Sequence, residues 1–581
     1  MERGSCLRAA TVGAGLVQTN DAELTEASSP DVPPAMAPRL TAGIAQGAAL
    51  IAGLTLVSRI LGLVRTLVFS QTVGSGCLGT IYVTSYQVPN LLSELVLAGA
   101  LTNAMVPVLA RSAQRAGTDA AARERIAQIS SAMLTWTVLI LVPVMIIIVA
   151  AAGPIAGLLN PSNASSHCVR SQMVGATSGM LEVFAPQVVL YGLSVVMFGM
   201  LQAYRRFTGP ALAPIVASLV MITSYVIFVP LDGGAPLSRA PQAALLTLSV
   251  GATLNVAALV AVGLVPVRRL GLRLRPTLRF PRGQVGRLGG LAFVGVLEFI
   301  AIDIATVVVI VLANGHGDTG ALVVLNYAML VFNAVSAVLA VSITTSAFPV
   351  MSASDGDAFD RTCAGSTRAV VLMSWLGAAV IAAVAVPAAH ILVHGGQVTE
   401  LIEAFAAMAP GIVGVAVITN LSRVLFVLGR LRVAALALTG SWLLAVAVDA
   451  VLTQFVPAHL EVAALGIGSS IGQTAVAIPL VFATRRIRGK AALAGAGRAT
   501  LAGFVACVVA SVGGVAVIIA MSPASKSMFV IAAVLATACA IAAFAAVAYL
   551  LVPGDLRSIA VAVASRRARA QKPRGRDGYV V

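Results

Sequence analysis

The chain has 581 residues, 59% of them hydrophobic and only 10% charged. Soluble domains carry about 25% charged residues, so a soluble globular fold is excluded and a polytopic membrane protein is implied. The net charge of +16 rests on 35 arginines and three lysines placed in short loops between apolar runs, a distribution that argues against a nucleic-acid partner. The excess of arginine, alanine, glycine and valine looks like codon bias in a high-GC bacterium.

Residues 1–43 are polar, aperiodic and lack the apolar core of a signal peptide, so they read as a disordered cytoplasmic tail. Met36 opens "MAPRLTAGIAQGAALIAG", a natural-looking start, and residues 1–35 are expected to be dispensable. Apolar runs long enough to cross about 30 Å of hydrocarbon then recur fourteen times: 44–73, 79–112, 125–152, 179–204, 209–230, 241–265, 285–313, 318–351, 364–392, 400–428, 431–454, 462–484, 499–520 and 527–551. The first, second and eighth are long and interrupted by glycine or proline, which predicts bends there. The fold class is an all-α polytopic membrane protein, with a basic cytoplasmic tail over 553–581.

The arginines set the topology. With the N-terminus inside, the inward loops hold Arg111, Arg115, Arg123 and Arg125, then Arg205 and Arg206, then seven arginines from Arg268 to Arg287. Further along come Arg361 and Arg368, Arg430 and Arg432, and the group from Arg485 to Arg498, whereas the outward loops hold only Arg170, Arg239 and Lys526. Both termini are therefore expected in the cytoplasm of a bacterial cell, with the basic face against anionic inner-leaflet lipids. The six cysteines imply neither a disulfide framework nor a zinc site, although Cys77 and Cys168 fall in two outward loops and a bridge between them is allowed.

A faint internal repeat relates 184–207 to 408–432. Both run Ala-Pro, then about 20 mostly apolar residues, then paired arginines. The two stretches are the fourth and tenth spans, which suggests two six-helix lobes (44–265 and 266–486) around a central cavity, followed by two extra helices (487–552).

Enzyme motifs are absent or weak. None of Lys490, Lys526 and Lys572 follows the glycine spacing of a P-loop, which excludes ATP hydrolysis by that route. Residues 468–472 match GxSxG, but within a long helical span, where small residues serve close helix packing better than a nucleophilic Ser470. His390 and His394 share a helix face without the glutamate of a zinc protease.

Polar groups inside the spans are more informative, because a charge at bilayer depth costs roughly 2.5–3.5 kcal/mol or more. Arg59 and Arg65 lie in the first span, about 120° apart on a straight helix, with Gly62 between them as a candidate bend. Tyr86, Gln87, Asn90, Ser93 and Glu94 make a polar stripe on the second. Glu298 and Asp303 lie in the seventh, Arg423 in the tenth and Asp449 in the eleventh. Arg59, Arg65, Gln87, Asn90 and Arg423 are the candidate substrate-binding residues, with Glu94, Glu298 and Asp303 as possible charge partners. Asp449 reads as a helix-packing residue sooner than a coupling-ion site.

At "SRILGLVR", "YQVPNLLSELVLAGALTNAMVPVLAR" (86–111) and "LQAYRRFTGPALAPIV" (201–216) the chain resembles the MurJ/MviN family of lipid II flippases. The resemblance implies the multidrug/oligosaccharidyl-lipid/polysaccharide exporter fold. It also implies flipping of undecaprenyl-pyrophosphate-linked peptidoglycan precursor to the outer leaflet by alternating access, with no enzymatic chemistry. Arg59 and Arg65 then match the family's cavity arginines, and Asn90 the asparagine of its Pro-Asn-Leu-Leu segment. No cofactor is implied; a membrane potential or ion gradient is the energy source to expect, and cell-wall synthesis and division proteins are the expected partners. The chain departs from the family pattern at Thr80, Ser93, Glu94 and Leu330, where charged residues of other members are missing or changed, so its cavity is expected to be less positive. Competing readings are export of another lipid-linked saccharide, such as a teichoic or capsular precursor, and a non-transporting scaffold for cell-wall enzymes. Multidrug antiport would need a cation site built on Glu298 and Asp303.

Overall fold

A computed structural model describes residues 37–96, 120–161, 168–204, 206–233, 237–239, 241–278, 285–555 and 557. The chain divides into two compact units, Met1–Gly53 and Leu54–Val581. Of the first, the described part is helical from Ala37, so residues 37–43 of the expected disordered tail are in fact the start of helix α1 (Ala37–Thr72).

The described residues of the second unit are mostly helical, with no strand among them. Among the described residues thirteen helical stretches are long and apolar enough to span a membrane, each matching one of the fourteen expected runs. The remaining run, 79–112, begins as α2 (Cys77–Val96) and continues outside the described residues.

From α2 the helices are α3 (Ala120–Ala150), α4 (Ala152–Leu159), α5 (Arg170–Phe184), α6 (Pro186–Ala203), α7 (Thr208–Asp232) and α8 (Gln242–Arg268). Then follow α9 (Val285–Gly315), α10 (Ala321–Ser336), α11 (Ser342–Ser352), α12 (Gly356–Leu392), α13 (Gln397–Met408), α14 (Gly411–Val427), α15 (Leu431–Leu452), α16 (Glu461–Arg488), α17 (Ala496–Met521) and α18 (Lys526–Leu551). Helices α2 to α8 pack among themselves, as do α9 to α16, and α17 and α18 pair with each other against α12. The two sets meet chiefly where α2 reaches α9 and α10, and α4 reaches α9.

The repeat seen at Ala-Pro has a structural counterpart. The fourth and tenth spans are each broken in two, α5 from α6 at Ala185-Pro186 and α13 from α14 at Ala409-Pro410. Proline lacks an N–H and opens a helix more readily than it continues one. In both spans the preceding alanine closes the first segment by donating its N–H, Ala185 to Leu181 O (2.8 Å) and Ala409 to Phe405 O (3.0 Å).

Glycine and proline do not interrupt the helix of α1 or of the described α2. Helix α1 runs unbroken through Gly53 and Gly62, and α2 continues through Pro89. The eighth span does change pitch, but at a π-helical turn over Ala337–Val341 that contains neither residue. Such single turns are often found near functional sites.

Small residues allow α15 and α16 to cross closely. A Cβ on Gly468 would stand 1.8 Å from Asp449 Oδ1, and one on Gly472 would stand 2.6 Å from the backbone N of Ala445. The Ser470 hydroxyl between them donates to Ala407 O at 2.7 Å. The GxSxG stretch therefore seats α16 on α15, as its place in a helical span predicts.

The ends of the bundle are tied differently. At the end expected inside, Arg368 pairs with Asp555 (2.7 Å), while Arg488 pairs with Asp360 (2.9 Å) and covers the Phe359 ring. The arginine-rich segment after α8 lies along α3, with the N–H of Arg275 donating to Ser131 Oγ and that of Thr277 to Thr135 Oγ1. At the opposite end a disulfide joins Cys77 at the start of α2 to Cys168 just before α5, the pairing that the two outward loops allow.

Candidate functional site

Between the two helix sets lies a cavity of about 580 Å³, within the range of roughly 300–1,000 Å³ typical of ligand sites. Its walls come from α1, α2 and α7 on one side and from α9, α10, α15 and α16 on the other. The first, second, seventh and eighth spans all contribute, with Arg65, Gln87, Asn90, Thr306 and Asn326 among the polar residues of the wall.

Of the residues singled out from sequence, Arg65, Gln87 and Asn90 line this cavity, and so does Tyr86 of the same stripe. The helical period brings Tyr86, Gln87 and Asn90 to one face of α2. Ser93 does not line the cavity: it is buried, and its hydroxyl donates back to Asn90 O at 2.7 Å. The side chain of Glu94 lies outside the described residues.

The structure separates the two arginines of α1. Arg65 is half-buried and faces the cavity, whereas Arg59 is exposed and is not part of its wall. Six residues apart on one continuous helix, the two side chains point about 120° from each other. Arg423 is also elsewhere: on α14, its guanidinium donates to Thr345 Oγ1 at 3.0 Å. Glu298 and Asp303, half-buried on α9, contribute nothing to the cavity wall.

Arg65 sits among phenols. Tyr82, Tyr86, Tyr191 and Tyr225 are its electrostatic neighbours, and no described carboxylate lies within ion-pair distance of it. Tyr82 and Tyr225 share a hydroxyl–hydroxyl hydrogen bond (3.2 Å), and the Tyr82 ring stacks near Tyr86 with centroids 6.2 Å apart. Phe69 and Phe184 complete this aromatic cluster. Tyr82, Tyr225, Trp442 and Asn326 line the cavity too; no charge marks them in their apolar runs, and the groups they face lie on other helices. Among the described residues, Asp449 and Arg65 are the charged side chains of the cavity wall.

One end of the cavity is sealed. Ile81, Leu159, Ile310 and Val323 are at most 3% exposed and belong to one continuous apolar cluster. Within it Asn314 Nδ2 donates to Thr84 Oγ1 (3.0 Å) and Leu159 O (2.9 Å), joining α9 to α2 and α4. Further out, Gln397 bonds the Ser75 hydroxyl and donates to Thr319 O (2.8 Å), and Gln71 donates to Ile391 O (2.9 Å). Gly320, with φ of +94°, permits this approach: a Cβ there would meet Ser75 O at 2.1 Å.

The family model for "Lipid II flippase MurJ" matches residues 69–553, most of the chain and nearly all of the helical bundle. The chain belongs to the MurJ family. Among curated relatives, Lipid II flippase MurJ of Burkholderia cenocepacia is 28% identical over 180 residues, 31% of this chain and 33% of that one. Probable lipid II flippase MurJ of Rhizobium tropici is 28% identical over 285 residues, 48% of this chain and 49% of that one. The chain thus spans between a third and a half of the length of these two curated relatives.

Solved structures extend the likeness of fold over most of the chain. Lipid II flippase MurJ in an inward closed conformation superposes with a TM-score of 0.66 over 86% of this chain and 99% of that one, at 16% identity. An inward-facing multidrug resistance MATE family transporter of the MOP superfamily gives 0.59 over 74% and 95%, at 14% identity. Leu330 presents an apolar side chain to the cavity, and Thr80 is buried with its hydroxyl on Gly76 O. The described wall is left with Arg65 as its one basic group.

Proposed function

We propose that this MurJ-family protein is a lipid II flippase, moving undecaprenyl-pyrophosphate-linked peptidoglycan precursor from the inner to the outer leaflet of the bacterial plasma membrane. The observation that carries the reading is a membrane-depth cavity whose one described basic group, Arg65, has no described carboxylate beside it. A buried cation is costly unless an anion completes it. A pyrophosphate does so, and the guanidinium fork suits its oxygens better than a point charge would. Gln87 and Asn90 flank it with neutral hydrogen-bonding groups.

Transport then requires the seal around Ser75, Thr319 and Gln397 to part while the opposite end closes, which is alternating access between two helix sets. The arginine-rich ends would face the cytoplasm and its anionic lipids, with both termini inside. Moving one charge through 100 mV is worth about 2.3 kcal/mol. Two phosphate charges leaving a negative interior would therefore gain about 4.6 kcal/mol, enough for vectorial flipping without ATP.

Depletion of the protein, followed by assay of the lipid-linked precursor that accumulates on the inner leaflet, tests the substrate. Accumulation of lipid II is the expected result. Accumulation of a teichoic or capsular precursor in its place would reassign the cargo, and accumulation of none would leave a scaffold.

A further inference from the structure

The charge of the cavity wall is too sparse to select a cargo by itself. Arg65 recognises any pyrophosphate lipid, including one with no sugar, and Asp449 cannot attract an anion. Discrimination must come from the neutral part of the wall, which has a definite composition.

On α10, Asn326 and Asn333 are two turns apart on one face, about 10 Å along the helix, and both line the cavity. Trp442 lines it from α15. The Asn333 carboxamide and the Trp442 indole N–H have no hydrogen-bond partner among the described residues. Asn333 is exposed to the cavity and Trp442 half-buried. Asn326 is engaged more weakly than a rigid structural residue: Nδ2 donates to Leu322 O at 2.8 Å, while Oδ1 accepts from Gln87 Nε2 at a long 3.3 Å. That last bond links the two helix sets directly across the cavity.

We propose that Trp442, Asn326 and Asn333 form a saccharide-recognition wall facing the Arg65 end, and that the sugar displaces the Gln87–Asn326 bond as it enters. The assignment rests on the flippase reading above and names the part of the cargo that the second helix set holds. Carboxamides offer a donor and an acceptor each, matching the hydroxyl and acetamido groups of amino sugars. An indole gives a broad apolar face for the C–H side of a pyranose ring, and its N–H adds a donor at the edge. A site built from such groups discriminates strongly against a ligand that cannot satisfy them. The peptide stem is the less favoured occupant, because its carboxylates would find no second cation in the described wall.

Binding of three lipids to the purified full-length protein in detergent separates the readings: undecaprenyl pyrophosphate, its disaccharide derivative without peptide, and the complete precursor. Trp442→Ala and Asn333→Ala are each expected to weaken both sugar-bearing lipids about tenfold and leave undecaprenyl pyrophosphate within twofold. Trp442→Phe, which keeps a ring, should retain most of the affinity and controls for folding. Equal loss for all three lipids, no loss, or loss confined to the peptide-bearing lipid would overturn the saccharide assignment. Wild-type protein that binds none of the three better than undecaprenol would instead refute the flippase reading.

Discussion

Replacing Arg65 tests the central claim at its narrowest point. If the guanidinium holds a pyrophosphate, Arg65→Ala removes hydrogen bonds to a charged group worth about 1.5–3 kcal/mol. At 1.4 kcal/mol per decade that is a loss of roughly 10- to 150-fold in affinity. Arg65→Lys keeps the charge but loses the paired geometry, and roughly a 3- to 10-fold loss is expected. Stability should respond differently. Arg65 faces the cavity without a described carboxylate partner, so thermal unfolding of the alanine variant should move by no more than about 0.5 kcal/mol. Ligand affinity by titration in detergent and unfolding by scanning calorimetry can be read on the same preparations. The competing role is an internal pair with Glu94 of α2, which sequence spacing allows. In that case Arg65→Ala would destabilise the protein, and Arg65→Ala with Glu94→Ala would restore both stability and transport. Restoration in the double variant would refute the binding role.

Other consequences of the structure are open to measurement. Gly468→Ala drives a Cβ into Asp449 Oδ1 and should cost about 1–3 kcal/mol as overpacking, whereas Gly440→Ala, with nothing within 4 Å, should be neutral or slightly stabilising in thermal unfolding. Gln397→Ala removes the hydrogen bonds that tie the α1–α2 turn to Thr319, each worth about 1 kcal/mol. It should raise labelling of a cysteine placed at the fully buried Val323 by an impermeant reagent applied from outside; unchanged labelling would locate the seal elsewhere. In denatured protein Cys363, Cys507 and Cys539 should alkylate before reduction, and Cys77 and Cys168 only after it, as mass spectrometry of the labelled peptides can show.

What sequence alone determined is what a bilayer imposes locally. Every spanning segment must be long, apolar and helical because lipid offers no partners to its backbone, so spans such as Gln242–Arg268 and Lys526–Leu551 were legible as apolar runs. The Ala-Pro pairs of the fourth and tenth spans were visible as a repeat, whereas the breaks they make there appear only in the folded chain. The polar face of α2 was readable too, because the helical period puts Gln87 and Asn90 together whatever lies opposite.

Tertiary structure decided which of these local features share a space. Arg59 and Arg65 look equivalent in the sequence, yet only the course of α1 past its neighbours gives one to the cavity and the other to its exposed side. Arg423 finds Thr345, 78 residues away in the chain, and is drawn from the site. Asn326 and Trp442 become wall residues because α10 and α15 face α2 across a gap. The pitch change at Ala337–Val341, with neither glycine nor proline to announce it, belongs to the same class of feature. A helix's period is written in its own residues, whereas its partner and the gap between them depend on how every other helix packs.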